Sequence, residues 1–443
     1  MTPAARLSAA IELLDLIEQS NMAAEGIVRS YFRARRYAGS TDRRTTSERV
    51  YAVIRNRARL DWWIAGAAGD LEPASRTRVL AALVLLDQEN PETLETLFNG
   101  GGHGPAPLSP DERELAANLA GKPLHHDAMP EGVLGEVSEW LTPMLQQQFG
   151  ADFTTEMAAL NTPATVDVRV NIGRVTRQQA RKSLLRDGIK SEDTPLSVVG
   201  LRLCDHARLE DTKAFKKGLI DVQDEGSQLI ALLCQVKPGM TVIDYCAGAG
   251  GKSLALADFM GLQGNEHAAG RLIACDVSAK RLARMDERLK RAGTEAVERY
   301  ALEADDLPPG LKDGADRVLV DAPCSGSGAW RRHPEARWRL TPERLNEHLA
   351  DQRTVLHEAA KLVKPGGHLI YATCSLLGQE NEDQIAWFLA QHDKFQVLPM
   401  GQVWVEAIGI AAPPGTVRSD SLSLSPARTG TDGFYCAVLG KKL

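Results

Sequence analysis

Val242-Ile243-Asp244-Tyr245-Cys246-Ala247-Gly248-Ala249-Gly250-Gly251-Lys252-Ser253 decides how the second half of this chain is read. Apolar Val242 and Ile243 predict a strand. The three glycines predict a turn whose backbone can lie close to a ligand, and Lys252-Ser253 predicts the start of a helix. A phosphate-cradling P-loop would need glycine at 246, where Cys246 stands. A dinucleotide fingerprint would need glycine at 253, where Ser253 stands.

Outward from this turn, short apolar runs recur at 241–245, 272–275, 317–320 and 368–372, with helical segments between the main ones. A last run at 434–439 closes the chain. This alternation from about residue 225 onward predicts an α/β domain with a mostly parallel sheet. A ligand without phosphate asks for close backbone and for acids. S-adenosylmethionine is such a ligand. Its ribose hydroxyls want a carboxylate after the second strand, where Asp276 follows Leu272-Ile273-Ala274-Cys275. The gap from the first turn exceeds the usual ~20 residues, and the glycine-flanked insertion at 261–270 accounts for it. The adenine amino group wants an acceptor after the third strand, and Asp305 or Asp306 fits. The expected cofactor set is Cys246, Ala247, Gly248, Ala249, Gly250, Gly251, Lys252, Asp276, Arg281, Asp305 and Asp321.

Two further strand ends carry cysteines: Asp321-Ala322-Pro323-Cys324-Ser325-Gly326 and Tyr371-Ala372-Thr373-Cys374-Ser375. Active sites of α/β domains form at the carboxyl ends of strands, and a structural cysteine more often sits mid-strand. Beside a methyl-donor site, a thiol answers a specific chemical problem. Carbon 5 of cytosine is a poor nucleophile, and adding a thiolate to carbon 6 makes the ring an enamine that attacks through carbon 5. A free thiol of pKa ~8.5 is mostly protonated at neutral pH, so such a site must favour the thiolate. Asp321 is placed to hold ring nitrogen 3, and Lys252 to line the same site. The chemistry leaves open which cysteine attacks and which assists release.

The first half is different. Residues 1 to about 98 read as helical: Leu7, Ile11, Leu14 and Ile17 are apolar at near-helical spacing, as are Val50, Val53, Ile54, Leu60, Trp63 and Ile64. Arg33, Arg35, Arg36, Arg43, Arg44, Arg49, Arg55, Arg57 and Arg59 cluster there with Tyr31, Phe32 and Tyr37, a mixture suited to RNA backbone and bases. Gly100-Gly101-Gly102-His103-Gly104-Pro105 reads as a loop or linker. His125-His126-Asp127 has no spaced partner for a metal and reads as surface loop. Helical patterns return over 129–163. Thr165-Val166-Asp167-Val168-Arg169-Val170-Asn171 alternates like a strand, 178–185 reads as helix and 198–203 as strand, together a small α+β unit.

Bulk properties agree with a globular chain of two or three domains: 443 residues, 43% hydrophobic and 25% charged. No apolar run is long enough to span a bilayer, and residues 1–15 read as an amphipathic helix rather than a signal peptide. A cytoplasmic location is expected. The net charge of −6 does not announce a nucleic-acid binder, which needs only a local basic patch. Seven cysteines without CxxC spacing argue against a disulfide framework or a zinc site.

The chain resembles the Sun-type RNA cytosine-5 methyltransferases. The likeness is strongest at Val222-Gln223-Asp224-Glu225-Gly226-Ser227-Gln228, the glycine turn, Asp321-Ala322-Pro323-Cys324-Ser325, Arg331-Arg332-His333-Pro334-Glu335, Thr373-Cys374-Ser375 with Glu380-Asn381, and Gly430-Thr431-Asp432-Gly433-Phe434. Residues 331–334 point to the ribosomal subgroup. The resemblance implies a Rossmann-like class I methyltransferase domain at 225–443. It implies an all-α, NusB-like RNA-binding domain with a glycine-rich linker at 1–128, and a small α+β RNA-binding subdomain at 129–224 that contains Asn171. It implies S-adenosylmethionine as cofactor and a cytidine of small-subunit (16S) ribosomal RNA as substrate; no metal and no membrane are expected, and a monomer is the default expectation for this fold. It makes Cys374 the nucleophile and Cys324 the residue that assists release, and it places Asp276, Asp305 and Asp321 at the cofactor and base sites. The family turn reads Cys-Ala-Ala-Pro-Gly-Gly-Lys-Thr; here Gly248, Ala249 and Ser253 stand in place of Ala, Pro and Thr. Transfer RNA as substrate is one competing reading, and a non-catalytic ribosome-assembly factor is another. A DNA cytosine methyltransferase would use Pro323-Cys324 but has no need of Thr373-Cys374-Ser375.

Overall fold

The computed structural model describes residues 1–67, 71–205, 207–263, 270–303 and 310–443. They form two compact units. One comprises Met1–Thr162 with Trp330–Leu340; the other comprises Pro163–Ala329 with Thr341–Leu443. The sequence reading set 129–224 apart as one α+β piece. In the structure, helices Thr142–Phe149 and Phe153–Leu160 go with the first unit and the strands that follow go with the second.

In the second unit a four-stranded antiparallel sheet is formed by β1 (Asp167–Val170), β2 (Ser191–Asp193), β3 (Gly200–Leu203) and β4 (Ile220–Val222), in the order β2-β3-β1-β4. Helix Arg177–Arg186 buries Ala180 and Leu184 in the same cluster as Val168, Val170 and Leu201. Asn171 is buried, and its amide donates to the carbonyls of Gly218 (3.2 Å) and Ala292 (3.0 Å). It therefore ties main chain together and does not present itself to RNA.

The large sheet comprises β5 (Thr241–Asp244), β6 (Arg271–Asp276), β7 (Glu298–Ala301), β8 (Ala315–Asp321), β9 (Val363–Thr373), β10 (Phe395–Val397), β11 (Leu422–Leu424) and β12 (Phe434–Lys441). Its order is β10-β12-β9-β8-β5-β6-β7, with β11 on β12. Strands β5 to β9 pair in parallel, and β12 runs antiparallel to β9. The parallel strands are apolar on both faces. Val242, Leu272, Leu319 and Ile370 enter one buried cluster, while Ile243, Ile273, Val318 and Leu369 enter another. Successive side chains point to opposite faces, so a sheet covered on both sides reads as unbroken apolar runs.

Strand order reverses at β5, which lies between β6 and β8. Such a switch point opens a crevice at the carboxyl ends of the strands. Helix Gly251–Phe259 leaves the β5 turn and buries every residue from 252 to 258. Its Asp258 accepts from Arg169 (2.8 Å) and from the backbone of Ile172 (2.9 Å) and Gly173 (2.8 Å). This fully buried ion pair fastens the small sheet to the helix that carries the turn.

The helical unit does not stop at Phe98. Leu108, Leu115, Leu119 and Met129 share a core with Leu13, Leu60, Ile64 and Leu80, so the glycine run is a loop within one helical core. Tyr31 and Phe32 are buried there, and of the three expected aromatics only Tyr37 is exposed. Several of the basic residues are engaged internally. Arg59 pairs with Glu136 (2.8 Å), Arg49 with Asp87, Arg35 with Glu12 (3.3 Å), and Arg55 donates to the Arg331 carbonyl (3.0 Å). His126 packs on Trp62 and Trp63. Among the described residues no helix is long and apolar enough to cross a membrane.

Candidate active site

The turn after β5 is shaped by main chain. Gly248 (φ 56°) and Gly250 (φ 82°) take left-handed conformations that favour glycine. A Cβ at 248 would lie 2.6 Å from the Arg281 guanidinium, and one at 250 would lie 2.5 Å from the Met285 side chain. The Asp276 carboxylate at the end of β6 accepts from Gly248 N–H (2.8 Å) and Ser278 N–H (2.8 Å), with Arg281 at 3.4 Å. Beneath the turn Asp244 is buried and accepts from Ser253 Oγ at 2.6 Å. Burial pushes its carboxyl up to about 7. Burial also pushes the thiol of Cys246, in the cavity wall, well up.

The loops after β8 and β9 are joined by main chain and by side chains. Ala322 N–H donates to the Ala372 carbonyl (2.9 Å), and Gly328 N–H to the Cys374 carbonyl (2.9 Å). Cys324 Sγ lies within 3.4 Å of Cys374 Sγ, although 50 residues separate them in sequence. The hydrogen bond with Cys374, followed by burial, pushes the Cys324 thiol well above its ordinary range. Lys252 reaches from the helix after the turn to Asp321 at the end of β8, Nζ to Oδ2 2.6 Å. Burial works against the ammonium charge, but the Asp321 carboxylate and its hydrogen bond outweigh it, so the pKa of Lys252 moves up.

A cavity of about 800 Å³ joins the two regions. Of the expected residues it is lined by Cys246, Ala247, Gly248, Ala249, Asp276, Arg281, Asp321, Cys324 and Cys374. Gly250, Gly251 and Lys252 do not line it: the first two open the helix, and Lys252 acts on the lining through Asp321. Asp305, and Asp306 beside it, lie outside the described residues. Sequence reasoning missed Val277, Leu302, Thr354, Val355 and Glu358 in the wall. It also assigned no role to Glu380, whose buried carboxylate accepts from Ser325 N–H (2.8 Å) and Gln352 Nε2 (3.0 Å). An acid five residues after a Cys-Ser strand end was the available signal for Glu380. Gln352 carried none.

The sheet order, the switch-point cavity and the turn over Asp276 define the fold class of a methyltransferase. A solved methyltransferase homolog protein from Pyrococcus horikoshii is similar over 70% of this chain and 97% of its own, at 26% identity and TM-score 0.58. The solved protein PH0851 is similar over 100% of this chain and 99% of its own, at 26% identity and TM-score 0.78. A family model for the 16S rRNA methyltransferases RsmB/F matches residues 231–440, and one for the ferredoxin-like domain of RsmF/B-like methyltransferases matches 137–210. The probable ribosomal RNA small subunit methyltransferase B of Synechocystis sp. is 30% identical over 420 residues, which cover 90% of this chain and 91% of that protein. This chain belongs to the RsmB/F family of 16S rRNA methyltransferases.

Proposed function

We propose that this chain transfers a methyl group from S-adenosylmethionine to carbon 5 of a cytidine in small-subunit ribosomal RNA, in the cytoplasm, through a covalent cysteine adduct. The observation that carries this reading is the pair of thiols 3.4 Å apart in the wall of a cavity that also holds Asp321 and Asp276.

The residues present fit the cofactor. The cavity is in the size range of small-molecule sites. The 248 position leaves no room for a side chain on the Arg281 side, and the Asp276 carboxylate stands at the end of β6. Gly248, Ala249, Asp276 and Arg281 would hold the cofactor, with Asp305 as a further acceptor. When bound it supplies an electrophilic sulfonium methyl group.

Cys374 adds as the thiolate to carbon 6 of the cytosine, and the ring electrons move toward carbon 5. Asp321, steadied by Lys252, holds the base at ring nitrogen 3 while the adduct exists. Cys324 is the base that takes the carbon-5 proton as the bond to Cys374 breaks. It does so as the thiolate, its own proton having first gone to solvent, and its sulfur lies 3.4 Å from the sulfur that holds the base.

The test uses transcribed small-subunit ribosomal RNA, radiolabelled methyl donor, and wild type, Cys374→Ala and Cys324→Ala. Label transfer lost in Cys374→Ala, with a gel-stable RNA adduct for Cys324→Ala, is the expected result. An adduct in Cys374→Ala would exchange the two roles. Transfer to transfer RNA alone, or no transfer to naked RNA or to small-subunit assembly particles, would overturn the reading.

A further inference from the structure

Glu380 sits in the short helical turn Gly378–Glu380 and is fully buried. Its two carboxylate oxygens gather four hydrogen bonds. Oε1 accepts from Ser325 N–H (2.8 Å) and Gln352 Nε2 (3.0 Å). Oε2 accepts from the hydroxyls of Ser325 and Ser375. Ser325 follows Cys324 and Ser375 follows Cys374. Gln352 also donates to the Pro323 carbonyl at 2.9 Å. The Glu380 carbonyl accepts from the Tyr371 hydroxyl at 2.6 Å, which anchors the hub to β9. None of the four donors is a cation. Burying an acid on neutral donors alone is costly, and hydrophobic packing would fill the space more cheaply. A carboxylate, however, accepts from several directions at once, and so bridges the two loops between their two backbone hydrogen bonds, Ala322 to Ala372 and Gly328 to Cys374.

We propose that Glu380 is the positioning residue for the cysteine pair: it staples the Cys324 loop to the Cys374 loop and so sets the separation of the two sulfurs. It touches neither the cavity nor the sulfurs and acts through Ser325 and Ser375. The inference rests on the proposed function for its purpose, but its geometry is read without any methyl transfer.

The experiment oxidises the full chain with diamide, which takes up the two thiol hydrogens as the hydrazine and leaves a Cys324–Cys374 disulfide. The linked peptides are timed by mass, against alkylation of each thiol. Glu380→Ala should slow disulfide formation by about tenfold or more, because reaction rates fall steeply when partners lose alignment. Glu380→Gln keeps a carbonyl for Ser325 N–H and offers its amide to hydroxyls that can accept it, so it should stay within about threefold of wild type. Methyl-transfer kcat should fall in Glu380→Ala while KM for the methyl donor holds. A wild-type disulfide rate in Glu380→Ala with an unchanged near-ultraviolet circular dichroism spectrum overturns the proposal. Should Glu380→Ala fail to fold, Ser375→Ala removes one strand of the staple: slowing supports the proposal and a wild-type rate overturns it. If the disulfide series behaves as expected but wild type methylates no RNA, the staple stands and the proposed function falls.

Discussion

The turn after β5 and the paired loops after β8 and β9 face the same cavity, but the turn is shaped by backbone, whereas the loops add a network of side chains to two backbone bonds. In the turn, left-handed Gly248 brings its main-chain N–H to Asp276. In the loops, serines, Gln352 and Glu380 pull two distant cysteines together. The first arrangement suits a ligand held by fixed dipoles and close approach. The second suits a reaction in which two sulfurs must meet the same base. A backbone site tolerates most changes that spare its glycines and its carboxylate, whereas a side-chain site fails by single atoms.

The largest effect expected from this contrast is at the loops. Cys374→Ala should lower methyl transfer on the order of a millionfold, the scale of losing a nucleophile, with donor affinity unchanged by calorimetry. Loss of donor affinity as well would break the division between the two regions. Next, Asp276→Ala should weaken donor binding about 100-fold, the scale of a hydrogen bond to a charged group, while diamide oxidation of the cysteine pair proceeds at the wild-type rate.

The third effect is on stability and depends on pH. Asp244 is raised by burial from the ordinary carboxyl range to about 7. The folded chain therefore keeps a proton that the unfolded chain gives up. The contribution to stability is present in full below about pH 4 and lost as pH rises to about 7. Asp244→Asn removes this dependence, so its stability relative to wild type should be higher at pH 8 than at pH 5 by about 3 kcal/mol, at about 1.4 kcal/mol per unit over the two units up to about 7. A flat difference across that range would mean Asp244 is ionised in the fold. A further loss of stability is expected for Gly250→Ala, which should cost about 1–2 kcal/mol for a left-handed non-glycine residue and must also displace the buried Met285 side chain, seen as a lower Tm. No loss would mean that the turn is less constrained than its φ of 82° implies.

Much of this was legible in the sequence because of how parallel strands are built. β5, β6, β8 and β9 are buried on both faces, so each is an apolar run, and the residues just past its end fall at the crevice. Asp276, Asp321, Cys324 and Cys374 follow from that rule. β7 did not stand out, because Glu298–Ala301 pairs only with β6 and its residues are mostly exposed. β10 and β11 are three residues each, too short for a pattern. The arginines of the first unit misled in part, because composition records charge but not the acids that fold against it.

The sequence by itself determined the parallel sheet, the glycine turn and the strand-end residues that face the cavity. These are set by local order along the chain: apolar periodicity, glycine conformational freedom and position after a strand. Tertiary structure alone decided that Cys324 and Cys374 lie 3.4 Å apart, that Lys252 reaches Asp321, and that Glu380 and Gln352 fasten the two loops. Each of these joins residues tens of positions apart, and a hydrogen bond between such residues leaves no periodic trace in either segment.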